Sequence, residues 1–571
     1  MFDLVIRHGT IADGTGGPLY TGDIGIANGR IAAVGEIPAR GREELSARGL
    51  LVTPGFVDIH THYDGQAAWD SDLAPSSWHG VTTVVMGNCG VGFAPVRRTD
   101  RDRLIELMEG VEDIPGSVLH EGLAWDWETF GEYLDALDRR PRSIDIATQL
   151  PHGALRVYVM GERAMRLEPA TPDDIAQMRG IAADAMRAGA LGFSTSRTLN
   201  HRTVKGDPTP SLRAGEDELL GVAMGLQDAG TGVIELISDW PDLEAEFAMV
   251  RRLVEASRRP LTLSLAQSFA APDGWRRILA HVARAAEAGL PIKAQVAPRP
   301  IGILLGLQAS RNPFSAYDAY AEIARQSLPE KVSALRDPSF RNRLVAETRR
   351  RQENKPKRRE DFRRIYPLGQ SPGYEPPSER SVAALAAAMG RDIADLACDL
   401  LVEDEGRAFL YAPFANYADG NLEACREMML SPHTVMGLGD GGAHVGLISD
   451  ASFTTFLLSH WGRDRPAGRF PVPTLVRKLT AETAHWVGLR DRGVIAPGLK
   501  ADLNIIDFDR LAIEAPFMAF DLPAGGKRLL QRARGYSATI VSGVIAFRDG
   551  EATGELPGKL VRGRKEAGTL H

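Results

Sequence analysis

The chain has 571 residues, of which 44% are hydrophobic and 25% charged, and its formal net charge at pH 7 is −7. This composition is ordinary for a globular protein with roughly two to four domains, or with one large barrel and additions to it. The mild acidity argues against general nucleic-acid binding, and three cysteines are too few for a disulfide framework. Because the sequence also shows neither a secretory signal nor an apolar run of about 20 residues, we expect a cytoplasmic protein without a membrane span.

Short strands separated by turns occupy both ends of the chain. They are predicted in the N-terminal part at 3–7, 22–26 and 30–35, and in the C-terminal part at 501–506 and 538–546. The Gly-rich and Asn-Gly turns between them are typical of hairpins. Two strand groups that flank a long middle region can form one small sheet domain, to which we assign residues 1–53 and 491–571.

The most informative motif is His60-Thr61-His62, which ends the apolar run that starts at Leu51. If residues 56–59 form a strand, both histidines lie on the same face, because side chains repeat every two residues in a strand. Two imidazoles at the carboxyl end of a strand can bind one metal ion, and imidazole is the commonest nitrogen ligand of zinc. A solvated pair is the alternative, but the Pro-Gly and the buried strand before the motif favour a metal site.

Between the terminal groups, short apolar runs alternate with helical stretches. Helices are predicted at 172–189, 215–229, 243–258 and 274–289, and strands at 56–59, 82–86, 144–149, 192–196, 233–237, 261–264, 292–296 and 435–439. Alternation of strand and helix predicts a parallel sheet, and about eight such units close a (β/α)8 barrel. We place this barrel at residues 54–490.

The region from about 300 to 420 interrupts the alternation. It contains several prolines and a charge run from Arg349 to Arg364, and we predict an insertion on the barrel. The charge run is interpreted as a solvated face. A lid or a subunit contact is the alternative, so homo-oligomerisation stays open.

Four segments together resemble the D-aminoacylase (N-acyl-D-amino-acid deacylase) branch of the amidohydrolase superfamily. They are the strand leading into His60 and His62, Gly87-Asn88-Cys89-Gly90, Gly439-Asp440-Gly441, and residues 493–507. The resemblance spans most of the chain. It implies an α/β fold, namely a TIM-type (β/α)8 barrel with an insertion, and a small β-sandwich domain formed from both termini.

Functional residues of such barrels gather at the carboxyl ends of the strands. Strand eight supplies Asp440, set among glycines that let a ligand approach the backbone, and this residue suits both metal binding and proton transfer. The resemblance implies that Asp440 takes a proton from the attacking water and gives it to the leaving amine. It also implies that Cys89, after strand two, is a thiolate ligand, although a small buried thiol is the alternative.

The chain departs from the family at two strands. D-aminoacylases carry a metal-binding histidine after strand five and another after strand six, whereas this chain has Glu235 and Gln267 in these places. Glu235 could replace one ligand with a carboxylate, and Gln267 could point into the pocket. We therefore favour one zinc ion on His60, His62 and Asp440, with Cys89 or Glu235 as further candidates and two ions as the alternative.

Polar residues at other strand ends are candidates for substrate binding. Arg197 could bind a substrate carboxylate through two parallel hydrogen bonds, and the histidines could stabilise a developing oxyanion. Structural or surface roles are the alternative for each of them. The full set is Asn88, His152, Arg197, His201, Gln267 and His444.

The predicted function is metal-dependent hydrolysis of a carbon–nitrogen bond in a small amide, an N-acylated amino acid being the substrate that the resemblance implies. One alternative is a hydrolase of a cyclic amide, a lactone or a carbamate-like compound. The other is a metal-free scaffold or binding protein, since fold does not fix function. No nucleophile elbow, with a serine between an apolar strand and a helix, is evident in the sequence, so a serine hydrolase is set aside.

Overall fold

A barrel of eight parallel strands forms the centre of the computed structural model, which describes residues 1–354 and 361–563. Neighbouring strands of the barrel follow one another in the sequence. Their bounds are Phe56–Asp58, Val81–Met86, Asp145–Pro151, Gly192–Arg197, Val233–Ser238, Leu261–Ser264, Ile292–Val296 and Thr434–Met436, hereafter strands one to eight. All eight correspond to predicted strands, and the predicted barrel is confirmed.

The barrel closes between the residues that follow strands one and eight. The Asp440 N–H donates to the His60 carbonyl oxygen at 3.0 Å, and the His62 N–H donates to the Gly441 carbonyl oxygen at 2.7 Å. These two hydrogen bonds bring the His60-Thr61-His62 motif beside Asp440, which is 380 positions away in the chain (440 minus 60).

Helices surround the barrel and are fixed at their ends by local signals. At Pro172–Ala188, for example, the Thr171 side chain accepts from the Asp174 N–H in a capping box, and Gly189 ends the helix with a φ of 115°. The four predicted helices are present within two residues. The helices outside the insertion are Arg101–Glu112, Gly116–Gly122, Phe130–Asp138, His152–Met160, Glu162–Met165, Pro172–Ala188, Glu216–Ala229, Leu243–Ser257, Gly274–Glu287, Glu423–Leu430, Phe453–Phe456, Leu457–Asp464 (a π-helix), Val472–Leu479 and Ala481–Trp486.

Strands from both ends of the chain share a nine-stranded sheet. The link between the ends is the antiparallel pair of Leu51–Pro54 with Leu503–Ile506. The other strands of this sheet are Phe2–Ile11, Tyr20–Ala27, Arg30–Gly35, Gly41–Ser46, Tyr536–Val541, Val544–Arg548 and Glu551–Ala552. Two further antiparallel pairs accompany it, Ala512–Ile513 with Ala533–Arg534 and, between them in the sequence, the hairpin of Phe517–Leu522 with Gly526–Leu530. The exact domain limits at residues 53 and 490 stay a prediction.

The insertion has a hydrophobic core of its own, built from residues between Leu305 and Ala412. Its base is the antiparallel pair of Ile301–Leu305 with Leu410–Ala415, which Tyr366–Pro367 extends. Its helices are Asp318–Ala321, Leu328–Arg336, Pro338–Asn354, Val382–Met389 and Ile393–Val402. Part of the predicted charge run, residues 355–360, lies outside the described residues.

Among the described residues, no helix is long and apolar enough to cross a membrane.

The end of the described chain does not join the terminal sheet. Instead, the Val561 N–H donates to the Ile146 carbonyl oxygen of strand three at 2.7 Å.

A buried ionic network joins strand three to the segment that leads into the C-terminal strands. Arg492 donates to Asp145 Oδ2 at 2.6 Å and to Thr83 Oγ1 at 2.8 Å. Lys500 Nζ lies 3.0 Å from Asp145 and 2.6 Å from Asp502. Burial alone would raise the pKa of Asp145, but Lys500 and Arg492 hold it below its usual value. The cations therefore keep this buried carboxylate ionised.

The substitution Arg492→Ala is expected to destabilise the protein by about 1.5–3 kcal/mol, because it removes a charge-assisted hydrogen bond to the buried Asp145 carboxylate, which then keeps only Lys500 as a charged partner. Thermal unfolding followed by circular dichroism would show the lower midpoint. Arg490→Ala, at an exposed position two residues away, serves as the matched control. Equal midpoints for the two variants would contradict the structural role of the network.

Candidate metal centre

The two histidines of the motif lie side by side and buried directly after strand one. Their ring centroids are 5.4 Å apart, and only 1% of His60 and 2% of His62 are exposed. The His60 N–H donates to Asp58 Oδ1 at 3.1 Å, which fixes the turn of the chain at the end of the strand. Both imidazoles are thus held at the carboxyl end of the barrel.

Cys89 joins the histidines from the turn that follows strand two. Its Sγ lies 3.4 Å from His60 Nε2, and the ligand atoms of His60, His62 and Cys89 all lie within 4.8 Å of one another. The turn needs glycine at Gly87, where φ is 77° and a Cβ would collide with the Gln149 carbonyl oxygen. The three donors are an imidazole pair and a thiol, which is a ligand set that suits zinc.

Asp440 completes the group from the loop after strand eight. Its Oδ1 lies 3.4 Å from His60 Nε2 and 3.8 Å from His62 Nε2. Burial raises the pKa of Asp440 to about 6, although the neighbouring His444 opposes this shift. The side chain still keeps 17% of its surface exposed, so water can reach the carboxylate.

The ring of His60 is oriented by a glutamine on strand seven. Gln295 Nε2 donates to Thr262 Oγ1 at 2.9 Å, so its Oε1 faces His60 Nδ1 at 2.7 Å. Because a carbonyl oxygen only accepts, Nδ1 carries the hydrogen and Nε2 keeps its lone pair toward Cys89 and Asp440. Gln295 was missed in the sequence because a glutamine inside an apolar strand gives no signal of what it faces.

Glu235 on strand five lies at the edge of this group. Its Oε2 accepts from the Cys89 N–H at 2.9 Å, while its buried Oε1 has no aligned hydrogen bond. Burial raises the pKa of Glu235 above its usual value, although the nearby His60 opposes this shift. An uncompensated buried carboxylate oxygen fits the vicinity of a cation. The donor set and this orphan oxygen therefore both fit a bound metal ion.

Four of the expected substrate-binding residues have their polar atoms occupied by the protein itself. His152 is fully buried, and its ring nitrogens contact Thr195 Oγ1 and Glu218 Oε1, both at 2.8 Å. These contacts favour the structural role that the sequence left open, and a substrate contact of His152 stays a prediction. A histidine at a strand end can equally turn inward beneath the next helix, and the sequence does not reveal which.

Asn88 and Gln267 are held by the protein in a similar way, and their substrate contacts stay predictions. The Asn88 amide donates to the Thr61 and Val85 carbonyl oxygens and accepts from Gln149, so it braces the turn that carries Cys89. Gln267 donates to Asp419 Oδ2 at 2.6 Å and accepts from the Ala418 N–H. Both amides complete buried backbone turns rather than a pocket.

Arg197 is likewise engaged, because its guanidinium pairs with Glu246 Oε1 at 3.0 Å and donates to the Ala214 carbonyl oxygen at 2.8 Å. Its N–H groups therefore already have partners within the protein. Arg197 bridges the end of strand four and the helix Leu243–Ser257, and its contact with a substrate carboxylate stays a prediction.

His201 and His444 remain as candidates beside the centre. Ser196 Oγ lies 2.9 Å from His201 Nδ1, and His444 Nε2 lies 3.8 Å from Glu112 Oε2. Burial lowers the pKa of His201 to about 3, helped by the imidazoles of His444 and His60. Both rings are therefore neutral near pH 7, and each can offer an N–H or a lone pair to a ligand.

Glu112 is a further group that the sequence did not indicate. It ends the helix Arg101–Glu112, and its Oε1 lies 3.2 Å from His62 Nδ1. A glutamate inside a charged helix resembles any surface residue in the sequence, whereas in the structure only 1% of it is exposed.

A parallel barrel with imidazole, thiol and carboxylate donors at its carboxyl end is the architecture of a metal-dependent enzyme. The comparison with known proteins agrees. The model of the amidohydrolase family matches residues 43–547, and the chain belongs to this family.

Individual relatives match over nearly the whole chain. A D-aminoacylase of Alcaligenes xylosoxydans xylosoxydans is 26% identical, with 98% of this chain and 97% of the relative covered. An N-acyl-D-aspartate deacylase of the same organism is 26% identical over 98% of this chain and 95% of its own length. A solved D-aminoacylase structure, described as having a binuclear metal center, has 25% identity and a TM-score of 0.65, and covers 98% of this chain and 100% of that one. These matches confirm the resemblance that was predicted from the sequence.

The substitution Cys89→Ala is expected to lower the metal content of the purified protein, because it removes one of three clustered donors. Elemental mass spectrometry measures this content per chain. Cys398→Ala, which removes a buried thiol from the core of the insertion, is the matched control. If both variants retain the metal content of the parent protein, Cys89 is a packing residue only.

Proposed function

We propose that this member of the amidohydrolase family removes the acyl group from N-acylated amino acids by hydrolysing their amide bond. The proposal rests on the position of Asp440 Oδ1, which lies 3.4 Å from His60 Nε2 and 3.8 Å from His62 Nε2 at a site that water can reach. Support for the substrate class comes from the relatives, which are named D-aminoacylase and N-acyl-D-aspartate deacylase.

The proposed cofactor is zinc, with one ion favoured and two as the alternative. His60, His62 and Cys89 would hold the ion, together with Asp440 or Glu235. When bound, such an ion polarises the scissile carbonyl group and lowers the pKa of coordinated water. Burial keeps both imidazoles neutral, which is the protonation state that a metal ligand requires, and Gln295 orients the His60 ring.

Asp440 is the proposed proton carrier. Its carboxylate accepts one proton from the attacking water while the water oxygen forms a bond to the acyl carbon. The carboxylic acid then donates that proton to the leaving nitrogen as the carbon–nitrogen bond breaks. His201 and His444, both neutral, are placed to donate a hydrogen bond to the oxyanion that develops on the carbonyl oxygen.

Two alternatives follow from specific observations. The absence of histidine from strands five and six of this chain keeps open a cyclic amide, a lactone or a carbamate-like compound as the substrate. A metal-free scaffold is the alternative if the site binds no ion.

The three cysteines are buried free thiols, which supports the cytoplasmic location that we also propose. Homo-oligomerisation and the absence of a nucleic-acid partner stay predictions.

The substitution Asp440→Asn is expected to reduce turnover by about 10²–10⁴-fold, because an amide cannot carry the proton. Amine release from a panel of N-acyl-D- and N-acyl-L-amino acids, with cyclic amides and lactones included, measures the rate and identifies the substrate class. Asp464→Asn, at a half-exposed position, is the matched control. Full turnover by folded Asp440→Asn would remove Asp440 as the proton carrier.

Removal of metal by a chelator is expected to abolish turnover, and added zinc is expected to restore it. Recovery that is complete at about one equivalent per chain would support a single catalytic ion. A requirement for two equivalents would indicate that Glu235 serves a second position. Unchanged turnover after the metal has demonstrably been removed would contradict the metal-dependent mechanism.

A further inference from the structure

A cavity of about 810 Å³ lies at the amino-terminal end of the barrel. Its wall includes the residues at which strands four to seven begin, namely Leu191, Val233, Pro260 and Pro291. Because the strands are parallel, their amino ends share one face of the barrel, and the candidate metal ligands follow carboxyl ends on the opposite face. The cavity is therefore separate from the metal centre, and its volume is typical of small-molecule pockets, which measure about 300–1,000 Å³.

Two segments near the end of the chain complete the wall of this cavity, the loop 487–492 and residues 559–563. Residues 559–563 run along the barrel, where the Val561 N–H is hydrogen-bonded to strand three and the Gly563 N–H donates to the Gly189 carbonyl oxygen at 2.8 Å. These backbone hydrogen bonds fix the wall, so the cavity has a defined shape.

The charges around the cavity are unequal. Of the described residues that line it, seven are arginine or lysine, three are aspartate and none is glutamate. The three aspartates already have partners. Asp145 and Asp491 lie 2.6 Å and 2.9 Å from Arg492, and Asp138 lies 3.5 Å from Arg562. The negative charge of the wall is therefore neutralised by the protein itself.

Four further cations of the wall have no such partner. No hydrogen bond or ion pair within the described chain engages the side chains of Arg258, Arg259, Arg490 and Lys559. Arg259 is half-buried, and its Nε is buried without an acceptor, as is the indole Nε1 of Trp486 in the same wall. Buried donors without acceptors are costly. The polar deficit of the wall thus consists of donors and positive charge, which an anion would offset.

From this cavity we infer a second binding site, which takes a small anion with more than one charged group. The free cations come from three separate segments: the residues before strand six, the loop 487–492 and residues 559–563. An anion with several charged groups can contact more than one segment at once, and guanidinium groups bind phosphate and carboxylate oxygens through paired hydrogen bonds. Phosphate esters and polycarboxylates share this chemistry. The inference does not depend on the proposed function.

The test measures binding to the full chain by isothermal titration calorimetry, with fructose 1,6-bisphosphate and tricarballylate as the two probes. Arg259→Ala and Arg490→Ala each remove one free cation of the cavity. Arg98→Ala is the matched control, because Arg98 is exposed and lies outside the cavity. Asp440→Asn alters the metal centre and thereby reports any binding of the probes at that end of the barrel.

The parent protein is expected to bind one of the probes, or both, with one equivalent per chain, and the preferred probe identifies the charged group. Arg259→Ala and Arg490→Ala should each weaken binding by about tenfold or more, since each removes charge-assisted hydrogen bonds. Arg98→Ala and Asp440→Asn should bind as the parent does.

Three results would overturn the inference. The parent protein could bind neither probe, both cavity variants could bind like the parent, or Arg98→Ala could lose as much affinity as the cavity variants, which would indicate attraction to surface charge in general. Loss of binding in Asp440→Asn alone would assign the anion to the metal centre and likewise remove the second site. None of these results bears on amide hydrolysis, so failure of this inference and failure of the proposed function are distinguishable.

Discussion

The hydrogen bonds that close the barrel between strands eight and one are the constraint on which the site depends. They link the backbone of His60 and His62 to that of Asp440 and Gly441, so the same bonds that complete the sheet fix the distance between ligand imidazoles and carboxylate. Asp440 has a φ of 48°, a conformation that L-residues avoid. The closing bonds offset this strain, because releasing it would open the barrel. Strain that the surrounding structure over-determines is typical of functional positions.

The orientation of the two imidazoles comes from elements that are unrelated in sequence. Gln295 on strand seven is itself oriented by Thr262 on strand six, and it faces His60. Glu112, at the end of a helix, faces His62. Gln295 supplies an acceptor to His60 Nδ1, so the His60 ring offers Nε2 to the space beside Asp440. The metal site therefore depends on a layer of buried polar groups as much as on its ligands.

The sequence predicted the strands of the barrel because a strand buried on both faces is a short apolar run, and the helices between them have their own caps. It predicted the ligand cluster because His60 and His62 are two residues apart and Asp440 follows a strand among glycines. It did not predict the roles of His152 and Gln267. A strand end fixes where a side chain begins, but the packing of the next helix or loop decides whether it turns into the pocket or satisfies a buried turn. Glu112 was missed for the same reason, since only tertiary contacts distinguish it from the other glutamates of its helix.

The electrostatics of the centre give the final argument for a cation. Burial raises the pKa of Asp58 to about 8 and that of Asp64 to about 7, and it raises the pKa of Glu112 well above its usual value. Asp440 and Glu235 are shifted in the same direction. Asp440, Glu112 and Glu235 bring three of these carboxyl groups to two neutral imidazoles, which is unfavourable if the carboxyl groups must ionise near pH 7. A divalent cation reverses this balance, because its two positive charges favour the ionised carboxylates and the neutral rings together. The arrangement that is costly without a metal ion is therefore one that a bound ion would stabilise.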